Sequence, residues 1–239
     1  MPKINFHSNR LYNSFNKNSE PEAAKGSVPQ WFAKSDIFWK DHHGNKIPGY
    51  NGEPALSFKN CPALLDIFVG GYVLKTPCDI TFTNVNGKVK LDIDPNYADF
   101  CGPREKMPEF VTPTGYHDDH FHWYPNWGVE VPSGYSAMYT SPLNRFDLPF
   151  ITVAGIIDSD QLNTPGLFPF FLSKEFSGTI KAGTPYIQIF PFKREDWEIN
   201  NVYYTYDEIV QRHENQAKTL RIPGGGAYKR KFWQKKRYK

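Results

Sequence analysis

A run of short apolar segments, each closed by proline or glycine, occupies residues 130–195. The segments are rich in valine, isoleucine, tyrosine and phenylalanine, whose branched or flat side chains suit a pleated strand better than a helix. Each is only a few residues long, which is usual for a strand and too short for a stable helix. The pattern predicts strands at 129–131, 135–139, 151–157, 169–172 and 186–192, and therefore a mainly β fold.

Residues 56–128 add one strong local signal to this pattern. Asn86-Gly87 separates two alternating apolar and polar segments, which predicts a β-hairpin because both residues tolerate positive φ. Residues 95–128, in contrast, contain many prolines and glycines and predict an irregular insertion. Pro62 is suited to the first position of a short helical turn.

The two ends of the chain differ in character from its middle. Thr205, followed three residues later by Glu208, has the form of a capping box and predicts a helix of about four turns that ends near residue 220. The first 28 residues are polar and lack periodicity. The predicted organisation is an N-terminal wrapping arm (1–55), a β core carrying the insertion (56–199), and a C-terminal helix with a basic tail (200–239).

Composition narrows the class of protein. Twenty prolines and eighteen glycines in 239 residues argue against a helical bundle. No apolar stretch approaches the roughly 20 residues needed to cross a bilayer, and the N-terminus lacks the apolar core of a secretory signal. We therefore expect no membrane partner and no secretion by signal peptide. Cys61, Cys78 and Cys101 lack metal-type spacing and are expected to be free thiols, with a Cys61–Cys78 disulfide as the minor alternative.

Positive charge is concentrated at the C-terminus. The last twelve residues hold seven of the 28 lysines and arginines and no acid, and without them the chain has 21 basic and 25 acidic residues. Because aromatic residues interleave with the cations, this tail suits nucleic acid, with phosphates on the cations and bases on the rings. The alternative is an arm that docks on an acidic neighbouring subunit. The candidate residues are Lys229, Arg230, Lys231, Trp233, Lys235, Lys236 and Arg237.

A dense group of histidines and aspartates lies at residues 117–122. His117, Asp119 and His122, with His120 between them, are candidate ligands for zinc or iron. The spacings His117-x-Asp119 and His120-x-His122 suit an extended strand, which presents alternate residues to one side. His117 and Asp119 with His213 would also match the two-histidine, one-carboxylate set of iron oxygenases. The alternative interpretation is a loop whose histidine and tryptophan side chains pack and hydrogen-bond at a subunit contact.

Three short motifs follow one another in the β region: PSGY at 132–135, GIIDSD at 155–160 and GTPYIQI at 183–189. In this order they resemble the Pro-x-Gly strand start, the catalytic aspartate segment and the Gly-x-x-Ile-Ala-Gln-Leu strand of one superfamily. That superfamily contains the trimeric deoxyuridine triphosphatases and the deoxycytidine triphosphate deaminases. The resemblance implies a β-clip (dUTPase-like) core with proline- and aromatic-rich insertions, and a homo-oligomer in which a trimer is favoured.

The same resemblance implies a chemistry for the core. Asp158 would polarise a water for attack on the α-phosphate of a deoxynucleoside triphosphate, with Mg²⁺ neutralising the phosphates. An alternative is that Asp158 only shapes a turn by bonding nearby backbone N–H groups. The candidate ligand contacts are Asp160, Asn144, Arg145 and Gln188.

The alternatives for these contacts are structural. Arg145 would pair with Asp147 and stabilise its own loop, and Gln188 would be a satisfied strand amide. Several family features are also missing. Gln161 stands in place of the tyrosine that stacks under deoxyribose, and the glycine-rich flap has only an echo at 221–229. Phosphate binding requires several N–H donors with arginine, and that set is not visible in the sequence.

Three longer motifs, PQW at 29–31, PLNRFDLPF at 142–150 and FSGTIKAGTP at 176–185, resemble a family of phage and bacterial proteins. That resemblance implies no established function. The missing phosphate-binding residues, the proline- and aromatic-rich arms and the basic tail predict a non-enzymatic, oligomeric assembly or structural protein. It would be phage-encoded and located in the virion or in the cytoplasm of the bacterial host. Two alternatives remain open: a dNTP pyrophosphatase or deaminase that uses Asp158, and an iron or zinc enzyme that uses the histidines at 117–122.

Overall fold

The fold is taken from a computed structural model that describes residues 2–8, 19–49, 52–104, 111–220 and 227–239. The described residues are mainly β, as the apolar pattern predicts. The chain divides into two compact units. The first comprises Met1–Ser27, Gly70–Arg194 and Tyr238–Lys239, and the second comprises Val28–Val69 and Glu195–Arg237. These boundaries differ from the three consecutive parts expected from the sequence.

The described part of the first unit contains fourteen strands in four antiparallel sheets. In chain order the strands are β1 (Asn5–Ser8), β2 (Glu22–Ala23), β3 (Tyr72–Lys75), β4 (Ile80–Val85), β5 (Lys88–Ile93), β6 (Cys101–Arg104), β7 (His120–Trp123), β8 (Trp127–Glu130), β9 (Tyr135–Thr140), β10 (Phe150–Thr152), β11 (Gly155–Ile157), β12 (Phe168–Leu172), β13 (Gly178–Ile180) and β14 (Pro185–Lys193). The sheet orders are β11-β9-β14-β3-β2, β10-β12-β7-β6, β13-β4-β5 and β1-β8. Short helical turns occupy Ala24–Ser27 and Pro95–Tyr97.

The core of the first unit is aromatic. The Trp123 ring stacks on Phe170 with centroids 3.8 Å apart, and both side chains are fully buried. Trp123 donates from Nε1 to Thr152 Oγ1 (3.1 Å), and Thr152 donates to the carbonyl of Tyr186 (2.7 Å). Such rings bury much area with few rotatable bonds, and their polar groups need partners when they are buried. The strands predicted at 129–131, 135–139, 169–172 and 186–192 are confirmed to within two residues, whereas the one predicted at 151–157 is two strands, β10 and β11, in different sheets.

The hairpin prediction is also confirmed. β4 and β5 pair from Ile80 opposite Ile93 to Val85 opposite Lys88. The two residues between them have positive φ, 53° at Asn86 and 80° at Gly87. Both values are those of the turn that matches the right-handed twist of paired strands.

The prediction that residues 95–128 are irregular is wrong in part. This segment contributes β6 and β7 to the four-stranded sheet. On β7, Phe121 and Trp123 face the buried core, so His120 and His122 lie on the opposite face. Pro103 is tolerated because β6 is an edge strand. The frequent prolines and glycines of this segment predict loops, and they outweighed the short alternating pattern of β7.

The N-terminal segment contributes one strand to a two-stranded sheet and one to the edge of the five-stranded sheet. Asn5–Ser8 pairs with β8, and Glu22–Ala23 pairs with β3 at the edge of the five-stranded sheet. An arm of this kind protects backbone groups that an open edge would expose. The polar composition of this segment concealed the pairing, because main-chain hydrogen bonds require no particular side chains.

The second unit contains three described α-helices: α1 (Gln30–Lys34), α2 (Pro62–Val69) and α3 (Tyr206–Leu220). Shorter helical segments span Phe58–Asn60 and Tyr228–Phe232. Phe32 is buried and its ring lies 4.4 Å from that of Phe68, whereas Trp31, Ile37 and Trp39 are about half exposed. None of the helices in the described ranges combines the length and apolar character needed to cross a bilayer.

The predicted capping box is confirmed at the start of α3. Thr205 donates from its backbone N to Glu208 Oε2 (2.8 Å), and Glu208 N donates to Thr205 Oγ1 (3.4 Å). Reciprocal bonds of this kind satisfy donors that have no partner inside the helix. Cys61, Cys78 and Cys101 are free thiols, as expected.

Candidate functional site

The two aspartates that follow β11 meet an arginine that follows β14. Asp160 accepts bonds from Arg194 Nη1 at Oδ1 (2.8 Å) and from Arg194 Nη2 at Oδ2 (2.5 Å), and Gly134 N also donates to Oδ2 (2.9 Å). The Asp160 side chain is 2% exposed. The Arg194 guanidinium therefore holds the pKa of Asp160 well below its usual range. This ion pair ties the ends of β9, β11 and β14 together.

Asp158, the predicted catalytic residue, lies beside this ion pair and faces solvent. Ser136 Oγ donates to Asp158 Oδ1 (2.6 Å), and Arg194 Nη1 lies 3.2 Å from the same oxygen. The Asp158 side chain is 61% exposed. Its backbone carbonyl accepts bonds from Gln161 N and Leu162 N, which close the turn after β11. The carboxylate contributes to a local structural cluster and also stays accessible to solvent.

Gln188, a predicted ligand contact, is buried within the first unit. Its Oε1 accepts a bond from Leu143 N (2.9 Å), and its Nε2 donates to the carbonyl of Gly70 (2.7 Å). A buried amide needs partners at both ends, and here the main chain supplies them. Gln188 lies opposite Thr140 on β9, four residues along that strand from Ser136 beside Asp158. At about 3.3 Å per residue, the two predicted site residues lie roughly 13 Å apart along the sheet.

Arg145 and Asn144 belong to a loop with its own ion pair. Arg145 donates from Nε and Nη2 to the two carboxylate oxygens of Asp147 (2.9 and 2.8 Å), and from Nη1 to the carbonyl of Ser27 (3.3 Å). Its side chain is only 13% exposed. Asn144 has a φ of 56°, which the loop needs for its turn. The structure thus brings Gln188 into contact with the loop of Asn144 and Arg145, through its bond with Leu143 N, and places Asp158 apart from both, beside Ser136 and Arg194.

The metal prediction is not supported by the geometry. No group of three or more histidine, cysteine, aspartate or glutamate side chains in the described ranges could hold a metal ion. His117 and Asp119 precede β7, outside the strand geometry that would align them with His122. His213 lies on the exposed helix α3, in the other unit. The zinc or iron site at His117, Asp119 and His122 therefore stays a prediction, without a ligand cluster in the described ranges to support it.

The histidines of β7 instead form a partly buried face. The His120 ring lies 5.8 Å from that of Phe171, and Arg104 is opposite His120 in the strand register. Burial lowers the pKa of His120 and of His122, and the nearby Arg104 cation lowers both further. Neutral imidazoles are favoured here, which suits packing under a loop.

A groove that the sequence did not reveal opens beside β1 and β8. Its volume is about 410 Å³, and Tyr97, Phe100 and Tyr124 supply its aromatic lining. Asp99 and Asn163 are among its polar residues, and lysine and arginine are absent from its described lining. None of the predicted site residues lines this groove, so it provides no support for a nucleotide site.

The basic tail is attached to its own unit. Trp233 Nε1 and Lys236 Nζ donate to the same oxygen of Asp66 on α2 (2.9 and 2.7 Å). Lys229 Nζ donates to Asn60 Oδ1 (3.4 Å). The tail is therefore a held segment and not a loose extension.

A second segment of this unit is exposed along its whole length. Every residue from 195 to 218 is exposed, and this exposed arm includes Trp197 (87% exposed), Ile199 (90%) and Tyr203 (88%). The arm continues into α3, where Tyr206 is 80% exposed and Ile209 and Val210 are 40% and 38% exposed. Sequence patterning predicts the helix but not the exposure of its apolar face.

No protein-family model matches the chain, and no curated protein matches it. Both family resemblances noted in the sequence therefore stay predictions. Residues 221–226, which carry most of the glycine-rich echo, lie outside the described residues.

Proposed function

We propose that the protein is a non-enzymatic assembly protein whose copies associate through the exposed arm. The observation that carries this proposal is the exposure of every residue from 195 to 218, among them Trp197 (87% exposed), Ile199 (90%) and Tyr203 (88%). Single apolar residues on a surface are normal, but a contiguous set is typical of an interaction site. Aromatic residues are also enriched in protein interfaces, because they bury large areas on contact.

The apolar side chains of α3 share one face. Tyr206, Ile209, Val210 and Ala217 recur at helical spacing and are all exposed. A helix of 15 residues is marginal in water by itself and depends on packing of its apolar face. Docking on another chain would supply that packing, at roughly 1.5–3 kcal/mol for each large apolar side chain taken from water to full burial.

A second copy of the chain is the partner that this surface favours. β11 lies at a sheet edge and exposes Ile156 (64%), and such an edge can accept an extended segment from another chain. Residues 196–205 precede α3 and belong to no strand in the described structure, and Trp197 and Ile199 alternate there. Most soluble oligomers consist of identical subunits with closed symmetry. The proposed oligomer is a trimer, on the family resemblance.

We also propose that β9, β11 and β14 form the centre of a β-clip. In support, the three motifs of the triphosphatase resemblance fall at these strands, which are adjacent in one sheet in the order β11-β9-β14. The resemblance to phage and bacterial proteins favours a virion or the host cytoplasm as the setting. In that setting the scaffold would serve assembly instead of catalysis.

Sedimentation velocity of the full-length protein tests the assembly proposal. Ile209→Lys places a charge on the apolar face of α3, and Gln211→Lys places the same charge on the opposite face as a matched control. We expect the wild type and Gln211→Lys to sediment as one oligomer, and Ile209→Lys to sediment as a smaller species with unchanged circular dichroism. A monomeric wild type, or an Ile209→Lys protein as large as the wild type, would contradict the proposal.

A nucleotide hydrolase or deaminase is the second candidate, and one observation favours it. Asp158 is a solvent-facing carboxylate 3.2 Å from an arginine nitrogen. Against it, both terminal nitrogens of Arg194 already bind Asp160, and both ends of the Gln188 amide are bonded to the main chain. Few donors therefore remain for phosphate, and the hydrolase stays the alternative to assembly.

A further inference from the structure

The basic tail presents cations that its own unit does not neutralise. Arg230, Lys235 and Arg237 are exposed, and no carboxylate partner is found for them among the described residues. The anchoring contacts of Trp233 and Lys236 with Asp66 hold the backbone between these cations. A segment that is already held loses less conformational entropy on binding than a free tail does.

Two aromatic rings lie among these cations. Tyr228 is 47% exposed and Phe232 is 52% exposed. Both belong to the helical segment Tyr228–Phe232, where residues four apart share a side of the helix. Trp233, in contrast, directs its Nε1 to Asp66 and serves the anchor. The segment thus combines exposed flat rings with unneutralised positive charge.

We infer that residues 228–237 bind single-stranded nucleic acid, with phosphates on Arg230, Lys235 and Arg237 and bases stacked on Tyr228 and Phe232. Positively charged grooves with aromatic platforms bind single strands without sequence preference, because every base has a stacking face. A base-paired duplex hides those faces, so single strands are favoured over duplex.

The charge distribution favours binding of nucleic acid at residues 228–237 over binding elsewhere on the chain. Residues 228–239 contain no acid, whereas the remaining chain has 21 basic and 25 acidic residues and would repel a polyanion weakly. An acidic protein partner would use the cations but would not need the two exposed rings. The combination of rings and cations therefore favours nucleic acid over an acidic subunit surface.

Fluorescence anisotropy with labelled 20-nucleotide oligo-dT and oligo-dA tests the inference on the full-length protein. Three phosphate contacts predict a slope of about −2 for log K against log salt concentration. The triple variant Arg230→Gln, Lys235→Gln, Arg237→Gln should lose at least tenfold in affinity and most of the salt slope. Tyr228→Ala and Phe232→Ala should each lose about fivefold, with the salt slope unchanged.

Two controls distinguish binding at residues 228–237 from non-specific attraction between a polyanion and any surface cation. Lys88→Gln with Lys90→Gln removes two exposed cations from β5, and this variant should bind as the wild type does. A polyglutamate chain of similar charge should bind more weakly than the oligonucleotides and should be insensitive to Tyr228→Ala. Equal binding of polyglutamate and oligonucleotide with no effect of the ring variants would overturn the inference in favour of an acidic partner. Wild-type affinity in the triple variant would overturn it outright.

Discussion

Arg194 and Asp160 form a bidentate ion pair, with Nη1 2.8 Å from Oδ1 and Nη2 2.5 Å from Oδ2. The pair joins the residue after β14 to the turn after β11, and Gly134 at the start of β9 also donates to Asp160. Two parallel hydrogen bonds between a guanidinium and a carboxylate fix the relative orientation of the two side chains more strictly than a single contact between exposed charges does. It holds three strand ends of the first unit in register.

The Asp160 ion pair makes stability depend on pH in the acid range. The Arg194 guanidinium lowers the pKa of Asp160, so the folded carboxyl releases its proton more readily than the unfolded one, which titrates near pH 3.9. The contribution is therefore present above about pH 4 and is lost as pH falls below it. We expect Asp160→Asn to lower the urea midpoint at pH 7, and the difference from the wild type to shrink progressively as pH falls from 4 towards 2. Asp158→Asn, at the exposed neighbour, should have the smaller effect at pH 7.

Gln188 should matter for stability and not for ligand binding. Gln188→Ala leaves Leu143 N and the Gly70 carbonyl without partners, at a cost of about 1–3 kcal/mol for each buried group. Urea unfolding measures this loss, with Gln211→Ala on the exposed arm as the control. An unchanged free energy of unfolding in Gln188→Ala would contradict the structural role.

Gly71 and Gly87 provide a matched test of close backbone approach. Both have positive φ, 70° and 80°, but a Cβ on Gly71 would overlap the carbonyl oxygen of Ile189, whereas a Cβ on Gly87 would meet open space. Gly87→Ala should cost roughly 1–2 kcal/mol from backbone strain alone. Gly71→Ala should cost roughly 1–3 kcal/mol more, because overpacking is added to strain. Equal losses in chemical denaturation would count against the contact with Ile189.

The histidines of β7 should make stability fall below neutral pH. Burial lowers the pKa of His120 and His122, and the Arg104 cation lowers both further. Since an unfolded histidine titrates near pH 6.5, the contribution is complete above that pH and declines as the unfolded rings gain protons below it. We expect the free energy of unfolding to fall less between pH 7.5 and 5.5 in His122→Gln than in the wild type. An unchanged pH dependence in the variant would exclude this role.

Turnover of deoxynucleoside triphosphates distinguishes assembly from catalysis. We expect the wild type with Mg²⁺ to release neither pyrophosphate nor ammonia from any of the four dNTPs, in agreement with the occupied donors of Arg194. Asp158→Asn serves as the paired variant. Turnover by the wild type that is lost in Asp158→Asn would establish the hydrolase or deaminase and reject a purely structural role.

Local chemistry alone predicted several elements of this protein. The hairpin at Asn86-Gly87 follows from two residues that tolerate positive φ, and the start of α3 follows from Thr205 and Glu208. The apolar strands at 135–139 and 186–192 follow from side-chain type and turn residues. Each of these signals depends only on residues a few positions apart, so the sequence alone is sufficient to predict the element.

Tertiary structure decided which side chains contact one another and which are exposed to solvent. The sequence places Asp160 and Arg194 34 positions apart, and only the pairing of β9 with β11 and β14 brings them together. The same pairing buries Gln188 with main-chain partners and separates it from Asp158. Residue type and spacing determined which segments become strands and helices, because backbone preference is local. Sheet register and burial, which depend on the whole chain, determined which side chains meet and which remain exposed.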